Sequence, residues 1–363
     1  MTRHNFRRAL VLGPLCLGIA TAMTACGASN EDSGDSDSGL SGELNGAGST
    51  AQEAAMTAWK AGFQGSNSGV TVNYDGVGSG GGREQFLAGG VNFAGSDAFL
   101  SDEELAAAQQ TCGSDPVEVP VYVSTIAVIY NLDGVDTLQL SPATLADIFS
   151  GKITQWNDPA IAAENSGVTL PGEAITPVHR SDDSGTTQNF TDYLAQAAPD
   201  NWTYPAAQTW PVQGGEAGEG TSGVVAAVKS GAGTIGYADA SQAGDLGKAM
   251  IKVGSSYAAP TAEGAAKALD ESDVVSGRPS TDVAISVNRT TTADGAYPII
   301  LVSYQITCQL QKDAATADLV KSFETYVVSS DGQQAAAEAA GSAPLSDSLA
   351  AKAQAAIDTI AAK

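Results

Sequence analysis

The chain is short of cations. Its 363 residues hold 17 Lys and Arg against 41 Asp and Glu, a formal charge of −24. That shortage argues against nucleic acid as a partner, since affinity for a phosphate backbone rests on Lys and Arg facing it. Histidine is scarcer still, with only His4 and His179. A Ser-His-Asp triad in the body of the chain would have to use His179, and no G-x-S-x-G elbow is present to carry its nucleophile. With so little histidine and four scattered cysteines, no Cys/His cluster suggests a metal. Gly244-Asp245-Leu246-Gly247-Lys248 lacks the length and the Ser or Thr of a P-loop. Beyond the N-terminus no apolar run reaches the ~20 residues that span a bilayer. No cofactor or metal is expected from these residues.

The N-terminus is different in kind. Residues 1–25 have a basic start (Arg3, Arg7, Arg8), an apolar stretch from Ala9 to Ala22, and small residues before Cys26, the layout of a secretory signal peptide. Met23-Thr24-Ala25-Cys26 resembles the lipobox of bacterial lipoproteins, with Met23 where Leu is usual, and this makes Cys26 the expected lipidated residue. The mature chain would then be exported and held on the outer face of the cell membrane. An uncleaved signal anchor is the alternative, although Gly13-Pro14 breaks the apolar stretch. Residues 26–41 are too polar and acidic to bury anything and read as a disordered tether, reaching roughly 22 Å. Without the three signal arginines, 14 basic residues face 41 acidic ones, about −27. An anionic ligand would be repelled by that field and must be won locally. In an oxidising compartment the two remaining thiols, Cys112 and Cys308, are expected to pair, with two separate buried thiols as the alternative.

The remaining 320 or so residues suggest about two domains. Apolar strands alternate with helical periodicity throughout, predicting an α/β fold of mainly parallel, helix-covered sheets with ligands beyond the strand ends. Gln52 to Phe63 carries Ala55, Met56, Trp59 and Phe63 at helical spacing. Val70 to Asp75 alternates like a half-buried strand. Val91 to Ala94 is a further strand, Ser101 a helix cap, and Val117 to Asn131 an apolar run interrupted by Pro120. Ala296 to Tyr304 is a second long apolar strand. The tryptophans Trp59, Trp156, Trp202 and Trp210 fit core or lobe-surface positions better than ligand contacts.

Three loops share one grammar: Gly48-Ser49-Thr50, Gly78-Ser79-Gly80 and Ser184-Gly185-Thr186 each lie between an apparent strand and a helix. A helix start leaves backbone N–H groups unpaired and carries partial positive charge, so each loop offers hydroxyl and N–H donors to an anion. Arg180 adds a planar fork of donors, and Asp182 is placed to hold it in one orientation. Any one of these loops suits an ordinary capped strand-to-helix turn. Three converging ones would enclose a tetrahedral oxyanion. Asp97, just past a strand end, fits such a site if the ligand still carries a proton. Hydrogen phosphate can donate to it, whereas sulfate would leave two acceptors facing each other, costing about 1–3 kcal/mol or more. A capping or turn aspartate is the alternative for Asp97.

Gly46-Ala47-Gly48-Ser49-Thr50, Gly78-Ser79-Gly80-Gly81, Gly95-Ser96-Asp97 and Arg180-Ser181-Asp182-Asp183-Ser184-Gly185-Thr186, in this order, resemble the phosphate-binding proteins of high-affinity phosphate ABC transporters. Phe149 to Asp158 and Gly233 to Ala238 add to the resemblance, which spans essentially residues 42–363. It implies a two-lobed, periplasmic-binding-protein-like fold of two helix-covered mixed sheets. Lobe 1 would be 42–125 plus 297–363 and lobe 2 would be 126–296, with hinge crossovers near Val121 to Ala127 and Tyr297 to Leu301. It implies phosphate held by Ser49, Thr50, Ala51 (through its N–H), Ser79, Asp97, Arg180, Ser184, Gly185 and Thr186, with Asp182 orienting Arg180. The implied partners are the membrane permease subunits of the transporter, and a monomer is expected. Asp183 departs from the family, where Gly is common. Two other readings stand beside this one: a binding protein for another oxyanion such as sulfate, and a secreted hydrolase. Gly76, Gly78 and Gly81 also fit G-x-G-x-x-G with Asp97 about 20 residues on, as in dinucleotide-binding folds. That leaves the other two hydroxyl-bearing loops unexplained.

Overall fold

The apolar run after Cys112 becomes one strand that the whole architecture shares. In the computed structural model, which describes residues 39–363, three βα units come first: β1 (Ser41–Gly48), α1 (Glu53–Ser66), β2 (Gly69–Gly76), α2 (Gly78–Leu87), β3 (Phe93–Ser96) and α3 (Asp102–Cys112). The long strand β4 (Pro116–Asn131) follows, buried along nearly its whole length, as a continuous apolar run predicts. The signal peptide, Cys26 and nearly all of the tether lie outside the described residues.

The middle of the chain supplies β5 (Gln139–Leu140), α4 (Pro142–Phe149), α5 (Pro159–Glu164), β6 (Thr176–Arg180), α6 (Gly185–Ala197), β7 (Glu216–Gly218), α7 (Gly220–Ser230) and β8 (Thr234–Asp239). Short pieces come next: β9 (Gly247–Lys248), β10 (Met250–Val253), β11 (Ser256–Ala258), α8 (Ala262–Asp270), β12 (Asp273–Val274) and β13 (Ile285–Ser286). The chain ends with β14 (Ile300–Cys308), β15 (Leu310–Gln311), α9 (Ala314–Val328), α10 (Ser330–Ala340), α11 (Asp347–Ile357) and β16 (Ala361–Ala362).

The main sheet runs β2-β1-β3-β14-β4-β8-β6-β7, with β9 on β4. Its flanks are parallel, β1 with β2 and β3, and β6 with β7 and β8. Its centre is not. β14 is antiparallel to both β3 and β4, and β4 is antiparallel to β8, because the chain leaves the first flank along β4 and returns along β14 in the opposite sense. The expected predominance of parallel pairing therefore gives way to a mixed sheet at the crossing strands. β4 pairs with β14 from Pro116 to Thr125 and with β8 from Ile126 to Asn131, so the two expected sheets are halves of one hydrogen-bonded path.

Pro120 does not interrupt the strand. The register slips there, Ser303 facing Tyr122 and Tyr304 facing Pro120, and this irregularity leaves the Val121 carbonyl to accept from Gln333 Nε2 (2.8 Å) instead. The second long strand starts at Ile300 rather than Ala296, because Tyr297 to Ile299 cross beside β4: Tyr297 donates to the Ile126 carbonyl (2.9 Å) and the Ile126 N–H to Ile299 (2.8 Å). Cys112 and Cys308 form a disulfide, closing 196 residues and tying α3 to the end of β14. Residues 281–285 bond to β4 and β14: Glu118 N–H to Thr281, Val283 N–H to Glu118, and Ile285 N–H to the Tyr304 hydroxyl.

The cores follow the predicted periodicities. Ala55, Met56, Trp59 and Phe63 all face inward from α1. Ser101 and Glu104 form a complete capping box on α3. Trp59, Trp156 and Trp202 are fully buried, while Trp210 lies half-buried with its ring stacked on His179.

Candidate functional site

Strand ends and helix starts meet because glycine lets them. Gly48, at the end of β1, has φ +147 and lies directly on the Gly95 carbonyl at the end of β3, so no side chain fits. The following Ser49 N–H bonds that carbonyl (2.9 Å), and Ser49 Oγ accepts from the N–H groups of Ala51 (3.1 Å) and Gln52 (3.3 Å). The Ala51 N–H, an expected ligand donor, thus already has a side-chain acceptor. Among the described residues the Thr50 N–H has none.

The second loop starts α2. Gly78 and Ser79 occupy its first two positions, where N–H groups lack intrahelical acceptors. Ser79 Oγ accepts from the Asp97 N–H (3.1 Å). Asp97 itself is 3% exposed, and its two carboxylate oxygens accept from Ser303 (2.7 Å) and Thr186 (3.2 Å).

The third loop joins β6 to α6. Ser184 caps α6 by accepting from the Thr187 N–H (3.1 Å), which leaves Gly185 and Thr186 at the open helix start. Arg180, 3% exposed, donates through Nε to Asp182 Oδ1 (2.7 Å) and through Nη2 to Asp182 Oδ2, a bidentate pair that fixes the guanidinium plane. Burial pushes the Asp182 carboxyl up, but the hydrogen bonds and charge of Arg180, with the Gly220 N–H, outweigh it and hold the carboxyl below its ordinary value. Asp183 is exposed and accepts from Thr209 (2.7 Å), so its charge points away from the site.

The sequence-distant loops are brought together. A Cβ on Gly185 would stand 2.5 Å from Ser79 Oγ and 2.7 Å from Asp97 Cβ, and one on Gly78 would stand 2.6 Å from Asp182 Oδ2. Gly80 N–H donates to the Asp183 carbonyl (3.1 Å). Ser49, Thr50, Ala51, Ser79, Asp97, Arg180, Ser184, Gly185 and Thr186 are all buried.

A fourth helix start was not singled out from the sequence. At α7, Gly220 N–H donates to Asp182 (3.0 Å), while Thr221 N–H donates to Thr50 Oγ1 (3.1 Å) and the two threonine hydroxyls share a bond (3.0 Å). Gly218-Glu219-Gly220-Thr221-Ser222 repeats the glycine-and-hydroxyl grammar and could have been found by it. Ser303 and Asn189, also missed, carry no local signal. Glu53 is a further addition: burial raises its carboxyl against the pull of the nearby Arg180, and Asp75 raises it further. Tyr237, its hydroxyl pushed up to about 12 by burial, accepts from the Arg180 N–H (3.2 Å) and shares a bond with Thr187 Oγ1 (2.7 Å), locking β6 to α6. His179, the histidine a triad would need, lies flat on Trp210 (ring centroids 5.3 Å apart), with Nδ1 at the Arg180 carbonyl (2.9 Å).

Known proteins resemble this chain over most of its length. Residues 33–331 match the family described as the PBP superfamily domain. The chain is 38% identical over 338 residues to phosphate-binding protein PstS 3 of Mycobacterium tuberculosis (strain ATCC 25618 / H37Rv), covering 86% of this chain and 88% of that one. It is 37% identical over 322 residues to phosphate-binding protein PstS 3 of Mycobacterium leprae, covering 85% and 87%. Among solved structures, a high-affinity periplasmic phosphate-binding protein bound with phosphate superposes with a TM-score of 0.73 at 25% identity, over 86% of this chain and 93% of that one. The chain belongs to the PstS family of phosphate-binding proteins, within the PBP superfamily.

Proposed function

We propose that this protein captures inorganic phosphate between two lobes and delivers it to a phosphate ABC transporter, binding rather than transforming it. The observation that carries this reading is the meeting of Asp97 with Ser79, Gly185 and Thr186 at open helix starts. Such starts supply N–H donors and positive dipole ends for an oxyanion. A carboxylate among them selects an oxyanion that retains a proton.

The assigned ligand set is Ser49, Thr50, Ala51, Ser79, Asp97, Arg180, Ser184, Gly185 and Thr186. Asp182 holds Arg180 so that its free N–H edges face the anion. Lobe 1 comprises 42–125 and 297–363, to which the bonds of residues 281–285 join that segment. Lobe 2 takes most of 126–296. Closure bends the chain where β4 changes partner at Thr125/Ile126 and where Tyr297 to Ile299 cross it. The signal peptide and a lipid on Cys26 place the protein outside the cell membrane as a monomer beside the permease subunits.

Calorimetric titration of the soluble form lacking residues 1–26 tests the reading. Saturable 1:1 phosphate binding, with sulfate weaker by orders of magnitude, is expected. Equal affinities, or no uptake of phosphate, would reject it.

A further inference from the structure

One side chain of α6 bridges the ligand loops and the returning crossover. Asn189 Nδ2 donates to the Asp97 carbonyl (2.6 Å) and to the Gly185 carbonyl (2.9 Å), and Asn189 Oδ1 accepts from Arg289 Nη2. Arg289 is 2% exposed. Its other donors reach the carbonyls of Pro298 (3.1 Å) and Ile300 (2.7 Å) and the Asp192 carboxylate (2.9 Å). The guanidinium also fixes which way the amide points: only oxygen can face Arg289, so nitrogen must face the two carbonyls.

A cavity of about 190 Å³, lined by Asp97, Gln188, Asn189, Asp192, Arg289 and Tyr304 among others, opens beside this bridge. Gln188 Oε1 is buried there without a partner. Beside the Thr186–Asp97 side-chain bond (3.2 Å), the Asn189 amide is the group that ties the start of α6 to the backbone of the Asp97 loop. Opening the cleft would separate Asn189 from Asp97, so this bond belongs to the closed state.

We infer that Asn189 is a positioning residue for ligand capture. Held by Arg289, it ties the anion-facing end of α6 to the backbone of Asp97 and so slows ligand release. The inference rests on the phosphate reading above. Neither Asn189 nor Arg289 touches the anion; they set where Gly185 and Asp97 stand when the lobes meet.

Two variants remove the donor to Asp97. Asn189→Asp keeps an acceptor for Arg289, and Asn189→Leu keeps the volume without charge. Phosphate release is measured by stopped-flow tryptophan fluorescence, with association rates and ligand-free melting temperature alongside. Both variants should release phosphate about tenfold faster or more, with the association rate little changed, because the Asp97 carbonyl loses its donor in the closed form. A release rate within about twofold of wild type in Asn189→Asp would overturn the inference, and that variant decides if Asn189→Leu fails to fold. Should wild type bind no phosphate, the phosphate reading fails and small-angle scattering judges the brace alone. A ligand-free Asn189→Asp protein more expanded than wild type would then support it, and equal radii would overturn it.

Discussion

Gly185 stands so close to Ser79 and Asp97 that a single added methyl would lie 2.5 Å from one and 2.7 Å from the other. The helix start of α6 therefore meets the Ser79 and Asp97 loops with no space to spare. Gly185→Ala should fold normally but close incompletely. The expected result is at least a tenfold loss of phosphate affinity by calorimetry with the melting temperature nearly unchanged.

Asp97 is expected to separate protonated from fully ionised oxyanions. In Asp97→Asn the amide can donate to sulfate as well as accept from hydrogen phosphate. The ratio of phosphate to sulfate affinity should fall by about tenfold or more. Competition titrations at fixed pH and salt read that ratio directly, and an unchanged ratio would remove Asp97 from its assigned role.

Arg180 and Asp182 act as a unit. Arg180→Ala removes the guanidinium and leaves the half-buried Asp182 without its cation, so phosphate binding should weaken by roughly 3–5 kcal/mol. Arg180→Lys keeps the charge but loses the fork, and an intermediate loss is expected from the same titration.

Glu324 lies buried on α9, 1% exposed, against the Gln305 amide. Burial pushes its carboxyl up to about 8. The folded protein then keeps a proton that the unfolded chain releases above its ordinary value of 4.5. This group's contribution is fully present below pH 4.5 and is lost as pH rises toward 8. Glu324→Gln should flatten that slope, leaving the variant more stable than wild type at pH 8–9 by roughly 2–4 kcal/mol. Urea unfolding at pH 5 and pH 8.5 measures the difference, which should shrink at the lower pH.

Replacing Cys112 and Cys308 by Ser removes a cross-link closing 196 residues. The paired variant should lose roughly 2–5 kcal/mol of stability. Thermal unfolding under non-reducing conditions checks this, and phosphate affinity should hold because neither cysteine lies among the assigned ligands.

The loops of the site were legible because their chemistry is local. Glycine before a hydroxyl residue before a helical period is written within a few positions, as at Gly48-Ser49-Thr50 and Ser184-Gly185-Thr186. The α7 loop is written the same way and was readable by the same rule. Ser303 and Arg289 were not, since nothing near them in sequence says that they will meet Asp97 and Asn189. The fold divides in the same manner. Amphipathic periods placed α1, and the apolar run placed β4, but the direction of each central strand depends on which partner returns to it. Pro120 misled for that reason: a proline that breaks an isolated strand is absorbed where the opposing register slips.

β14 fills the gap between β3 and β4 although it starts only at Ile300, long after β4 ends at Asn131. Until residue 308 has been synthesised, both neighbours carry bare edges in what will become the middle of the sheet. Assembly must wait for the tail of the chain, and a truncated product ending before Ile300 would be left with two sticky seams rather than a smaller domain.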